Sequence, residues 1–132
     1  MIALDTNVLV RFLVQDDPAQ AALANRVMAD LSEVEPGFIG REVLLEFVWV
    51  LERAYGYSRQ DIAAALVGLL SARELVIEAA DDVGAAAEVY REGGFGFADM
   101  MIAAAARRAG AKELVTFDRK ASQLPRVRLL EG

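Results

Sequence analysis

The chain alternates between short apolar runs that read as strands and longer stretches that read as helices, with helix start and stop residues at the switches. Ile2-Ala3-Leu4 is a short apolar strand ended by Asp5-Thr6-Asn7, all good N-cap types, and Val8 to Leu13 reads as a short helix. Asp17-Pro18 is a second start, a cap followed by proline at the first helical position, and apolar residues at helical spacing carry that helix to about Leu31. Pro36 to Gly40 reads as a turn and a very short strand. Arg41 to Tyr55 is a helix closed by Gly56, and Ser58 with Asp61 opens another that runs to about Ala72. Leu75-Val76-Ile77 is the third strand. A helix from about Asp82 to Arg91 stops at Gly93-Gly94, and an alanine-rich one from Phe97 to Ala109 stops at Gly110. Glu113 to Thr116 is the fourth strand and Val127 to Leu130 the fifth. This alternation predicts an α/β fold with a mostly parallel sheet, whose ligands bind beyond the carboxyl ends of the strands.

Composition narrows the chemistry. The chain has 132 residues, no internal repeat and no Pro/Gly/Ser linker, so one domain over residues 1–132 is expected. Fourteen basic and twenty acidic residues give a net charge of −6, which argues against a generally basic nucleic-acid coat. It does not exclude an enzyme whose few arginines line one groove. Cysteine and histidine are both absent. That removes disulfides, thiolate zinc sites, cysteine nucleophiles, Ser-His-Asp triads and imidazole ligands. Any metal chemistry must use oxygen ligands, which suit Mg²⁺, Mn²⁺ or Ca²⁺. No apolar run reaches the roughly 18 residues of a membrane span. Asp5 interrupts the N-terminus before a signal sequence forms, so the expected location is the cytoplasm.

Four carboxylates stand out. Asp5 and Asp118 follow predicted strands, Asp99 falls in the first turn of a predicted helix, and Glu46 interrupts the apolar run Val43 to Leu51. Each has a plain structural reading: Asp5 as an N-cap, Asp99 as a partner of the helix dipole, Asp118 as a turn residue, and Glu46 in a narrow polar stripe with Glu42 and Arg53. Together they mean more. Converging like charges raise one another's pKa and destabilise a fold unless a cation offsets them. A divalent metal held by oxygens is the simplest reason to gather them, and a phosphodiester is its natural substrate.

The segments Leu4-Asp5-Thr6-Asn7-Val8-Leu9, Leu44 to Leu51 around Glu46, Phe97-Ala98-Asp99-Met100-Met101-Ile102-Ala103 and Val115-Thr116-Phe117-Asp118-Arg119 occur in this order. Together they resemble the PIN-domain family, in particular the VapC-type toxins of prokaryotic toxin–antitoxin pairs, and the resemblance runs from Met1 to about Leu130. It implies a three-layer fold, with a five-stranded parallel sheet in the order 3-2-1-4-5 flanked by helices. Asp5, Glu46, Asp99 and Asp118 match the family's acidic positions and are the implied catalytic and metal-holding residues. Asn7 is the implied supporting hydrogen-bond partner, and Thr116 matches a polar position bordering the site. Where many relatives carry a further acid this chain has Gly96, which puts more weight on Asp99 and Asp118.

The implied activity is Mg²⁺- or Mn²⁺-dependent hydrolysis of RNA, leaving a 5′ phosphate and a 3′ hydroxyl. The implied partners are RNA, a cognate antitoxin and a second copy of the chain, with no membrane. Val48, Trp49 and Tyr55 are candidate groove or dimer residues, and Arg11, Arg41 and Arg119 candidate phosphate contacts. A non-catalytic PIN-like binding module and a stand-alone PIN nuclease are the alternatives. A haloacid-dehalogenase-type phosphatase fits less well, because it wants a second Asp where Asn7 stands. A receiver-like domain fails on the poor match of Lys120 to its late lysine.

Overall fold

The computed structural model describes residues 1–132. Strand β1 (Ile2–Ala3) leads into helices α1 (Thr6–Val14) and α2 (Pro18–Asp30). Strand β2 (Gly37–Ile39) is followed by α3 (Arg41–Arg53) and α4 (Arg59–Ser71), and β3 (Leu75–Ile77) by α5 (Ala80–Glu92) and α6 (Phe97–Arg108). Strands β4 (Leu114–Thr116) and β5 (Val127–Leu129) end the order, with a 3₁₀ turn at Ala121–Gln123 between them. The caps act as their sequences indicate. Asp17 accepts a hydrogen bond from the Gln20 amide ahead of Pro18, and Ser58 accepts one from the Asp61 amide. Two starts differ from expectation. Helix α1 begins at Thr6 rather than Val8, with Asp5 in the N-cap position of its plain structural reading, and α5 begins at Ala80, after Ala79 takes a left-handed conformation (φ 54°).

The strands pair in parallel, but the single five-stranded sheet expected from the sequence is two sheets. One has the order β1-β2-β3 and the other pairs β4 with β5. The neighbour relations 3-2-1 and 4-5 are present, and the link between β1 and β4 is not. Strand β1 pairs along its two residues with β2 alone. Asp5 opens α1 directly after Leu4, leaving two paired residues. The expected third layer is also incomplete. Ala3, Phe38 and Val76 stand in register on one face of the larger sheet, where Ala3 and Val76 are exposed and Phe38 is half-buried. Helix α5 packs on α4, and α6 on α3 and α5.

The covered side holds the core. Leu4, Ile39 and Leu75 meet Leu9, Phe47, Leu51 and Leu66 from the helices in one continuous buried cluster. Gly37 sits where this packing is tightest. A Cβ there would lie 2.9 Å from Leu31 Cδ1, 3.0 Å from Leu4 Cδ1 and 3.2 Å from Leu75 Cδ2. Gly68, inside α4, has nothing within 4 Å of an added Cβ. The two glycines should therefore respond oppositely to alanine. In urea melts, Gly37→Ala is expected to lower stability by about 1–3 kcal/mol through overpacking. Gly68→Ala is expected to raise it by about 0.5–1 kcal/mol by restricting the unfolded chain. Equal responses would show that the close approach at Gly37 does not limit the fold.

Candidate functional site

Asp5 takes the N-cap backbone conformation of α1, yet its side chain makes no capping hydrogen bond. The plain structural role of this acid therefore leaves its carboxylate unused. It lines a cleft of about 660 Å³ together with Glu42, Glu46 and Glu52 of α3. Glu42, Glu46, Trp49 and Glu52 follow one another three or four residues apart, which sets them on one stripe of the helix. Gly96, Phe97 and Ala98, where α6 begins, line the same cleft.

Glu46 is held from below. Thr6, only 3% exposed, donates its hydroxyl proton to Glu46 Oε1 and so ties the first turn of α1 to the middle of α3. Glu52 is held in a similar way, accepting a hydrogen bond of 2.8 Å from the Tyr90 hydroxyl of α5. Burial first, then the hydrogen bond to Glu52 and its charge, pushes the Tyr90 phenol well above its ordinary range, so it stays a neutral donor. Arg59, the first residue of α4, lies over the Tyr90 ring at 4.4 Å. Its guanidinium donates to the carbonyls of Tyr90 (3.0 Å) and Phe95 (2.8 Å) and so secures the segment leading into α6.

Asp99 is half-buried in the first turn of α6 and makes no side-chain hydrogen bond. A Cβ on Gly96 would stand 3.2 Å from Asp99 Oδ2, so this carboxylate rests directly against the cleft-lining glycine. Burial, then the charge of Asp118, pushes the Asp99 carboxyl above the usual range. Asp118 is exposed just after β4. Its Oδ1 accepts from the Ala121 amide at 3.0 Å, and its own amide donates to Thr116 Oγ1 at 3.0 Å. Asp118 thus fills its turn role with one oxygen while its charge still reaches Asp99.

The four acids singled out in the sequence fall into two pairs, Asp5 with Glu46 in the cleft and Asp99 with Asp118 beside its Gly96 edge. No three of the acids stand close enough together to ligate one ion. The donors are nonetheless all hard oxygens, and Mg²⁺ keeps most of its water while taking one or two carboxylates plus substrate phosphate. The oxygen donor set suits such an ion, and the like-charge pressure on Asp99 is what a bound cation would relieve.

The supporting residues differ from expectation. Asn7 is exposed and lines a separate hollow with Arg11 and Gln20, whereas Thr6 makes the bond to a site carboxylate. Thr116 shapes the Asp118 turn. Arg11 pairs with Asp16 (3.0 Å) and Tyr55 (3.0 Å), Arg41 with Glu78 (3.6 Å) and Arg119 with Glu131 (3.8 Å), so each of the three already faces a carboxylate. Val48 is buried at the cleft wall, Trp49 is 57% exposed, and the Tyr55 hydroxyl is bound to Asp16. Glu52 escaped the sequence reading because its neighbour Arg53 makes it look like a solvated helix end and its partner lies 38 residues away.

The fold is a small α/β domain in which two of the four acids line one cleft and Asp99 rests against its Gly96 edge. The chain belongs to the PIN domain family, whose model matches residues 2–127. It is 29% identical over 125 residues to a VapC ribonuclease of Aquifex aeolicus (strain VF5), covering 94% of this chain and 92% of that protein.

The Asp99 environment sets a pH dependence. A carboxyl whose folded pKa exceeds its ordinary value of 3.8 binds extra protons in the native state. Its contribution to stability is present below that value and is lost as pH rises through the raised pKa. In buffer free of divalent ions, Asp99→Asn is expected to raise Tm at pH 7 and to flatten the decline of stability above pH 3.8. A lower Tm at pH 7 would show that Asp99 is not under like-charge and burial pressure.

Proposed function

We propose that the chain is a metal-dependent endoribonuclease, the toxin of a type II toxin–antitoxin pair, acting as a single PIN domain over its whole length. The observation that carries this reading is the Asp5 carboxylate, which stands at a helix N-cap without capping and lines a cleft beside Glu46. Membership of the PIN family and the likeness to a VapC ribonuclease support it. Asp5, Glu46, Asp99 and Asp118 would hold Mg²⁺ or Mn²⁺. Bound there, the ion would offset the charge of a phosphodiester and lower the pKa of water at the site.

The chain's own groups do the positioning. Thr6 fixes the Glu46 carboxylate, and Tyr90 fixes Glu52 at the far side of the cleft. The start of α6 contributes the positive end of a helix dipole beside Asp99, where a phosphate is favoured. Arg59 holds the segment that carries that helix start. Water is the nucleophile, so the reaction needs neither histidine nor cysteine. In the cell the protein works in the cytoplasm as a homodimer, restrained by a cognate antitoxin whose apolar segment covers Trp49 and the cleft wall.

The test is cleavage of a mixed RNA pool with Mg²⁺ or Mn²⁺ and with EDTA. Cutting is expected with metal only. Asp5→Asn and Asp99→Asn are each expected to reduce it by more than about a hundredfold while the protein stays folded. Folded protein that neither cuts RNA nor binds Mg²⁺ by calorimetry would defeat the reading and leave a non-catalytic binding module.

A further inference from the structure

An acidic protein of net charge −6 that handles a polyanion needs a local cation beside its acidic site. Arg11, Arg41 and Arg119, the arginines nearest the acids in sequence, are each paired with a carboxylate. Lys120 differs. It follows Asp118 by two residues, is exposed, and forms no ion pair. Its Nζ lies 5.1 Å from the centre of the Phe95 ring. A Cβ placed on Gly94 would stand 3.5 Å from Lys120 Cε and 3.6 Å from Nζ. Gly94 has a φ of +97° and no side chain, so the lysine lies close over its backbone. The only polar partner of the ammonium is Gln123 Oε1, at 3.5 Å.

Lys120 therefore bridges two segments that each carry a site acid. It arises from the turn built on Asp118 and lies across Gly94-Phe95, which runs through Gly96 to Asp99. An aromatic face attracts an ammonium without consuming its protons, and one long hydrogen bond consumes a single proton. Two donors remain for an incoming acceptor. The ammonium is thus held over the segment that leads through Gly96 to Asp99, pre-positioned by packing and open to solvent.

We propose that Lys120 anchors a phosphate of the RNA strand next to the one that is cut, on the Asp118 side of the cleft. This rests on the ribonuclease reading above. Anchoring a flanking phosphate is a charge contact independent of base identity, so it acts on binding and on salt dependence rather than on the chemical step.

The experiment measures kcat and KM for RNA cleavage in Mg²⁺ across a salt series. It compares the wild type with Lys120→Met, Lys120→Arg and Lys112→Met, each checked for folding by its thermal melt. Lys112 is a lysine just before β4, at the opposite end of that strand from Asp118. Lys120→Met is expected to raise KM roughly two- to fivefold, as for loss of an exposed ion pair, with kcat kept. The slope of log kcat/KM against log salt should become shallower by about 0.7, the loss of one phosphate contact on a single strand. Lys120→Arg should restore both, and Lys112→Met should change neither. An unchanged KM, or a raised KM with an unchanged salt slope, would overturn the assignment and leave Lys120 a packing residue on Phe95. Wild-type protein that cuts no RNA would fail the ribonuclease reading itself, and the Lys120 assignment with it.

Discussion

The strands of this molecule are two or three residues long, and that shortness governs everything built on them. So few ladder hydrogen bonds cannot hold a parallel sheet in water, where three or more strands and a packed face are needed for stability. The helices supply that packing. Leu9, Phe47, Leu51, Ile62, Leu66 and Tyr90 close over Leu4, Ile39 and Leu75 in one core. The strands act as short rungs that set the level at which each helix begins. Because β1 hands over to α1 after Leu4, and α3 begins just past β2, Asp5 and Glu46 arrive at one end of the molecule.

At that end the acids are governed by what each neighbour leaves unsatisfied. Asp118 gives one oxygen to the Ala121 amide. Glu46 receives the Thr6 hydroxyl and Glu52 the Tyr90 hydroxyl, so α3 is tied to α1 on one side and to α5 on the other. Asp5 and Asp99 receive no side-chain hydrogen bond, although both sit at helix starts where backbone amides are available. The region is thus part braced and part uncompensated. The uncompensated carboxylates are Asp5 in the cleft and Asp99 beside Gly96, and Lys120 lies over the segment leading to Asp99 without an acid of its own.

Much of this was legible in the sequence because it is written locally. Asp17-Pro18 and Ser58 with Asp61 name their helix starts, and the structure shows the corresponding hydrogen bonds. The acids at the ends of apolar runs were visible for the same reason, since a charge against a hydrophobic pattern is a local contrast. What escaped was relational. Thr6 reads as a cap until α3 is placed beside it, and Glu52 shows its partner only when α5 is in place. The break between the two sheets is relational too, since no residue of β1 or β4 states which strand will lie beside it. Ala79 was hidden for a different reason. Alanine avoids the left-handed conformation, so nothing in its identity announces the early start of α5.

The unused cap at Asp5 has a consequence for how this chain can change over generations. A side chain that satisfies an open amide at a helix start contributes about 1 kcal/mol, and Asp is among the best residues for it. Here the residue type is right and the bond is missing. A drift toward a sturdier fold would turn that side chain inward or exchange it for a neutral cap, and either step takes the Asp5 charge out of the cleft and leaves only the glutamates of α3 there. Robustness and the acidic cleft are therefore opposed at one position, which makes Asp5 a place where lineages relaxed from one demand would separate from those still held to it.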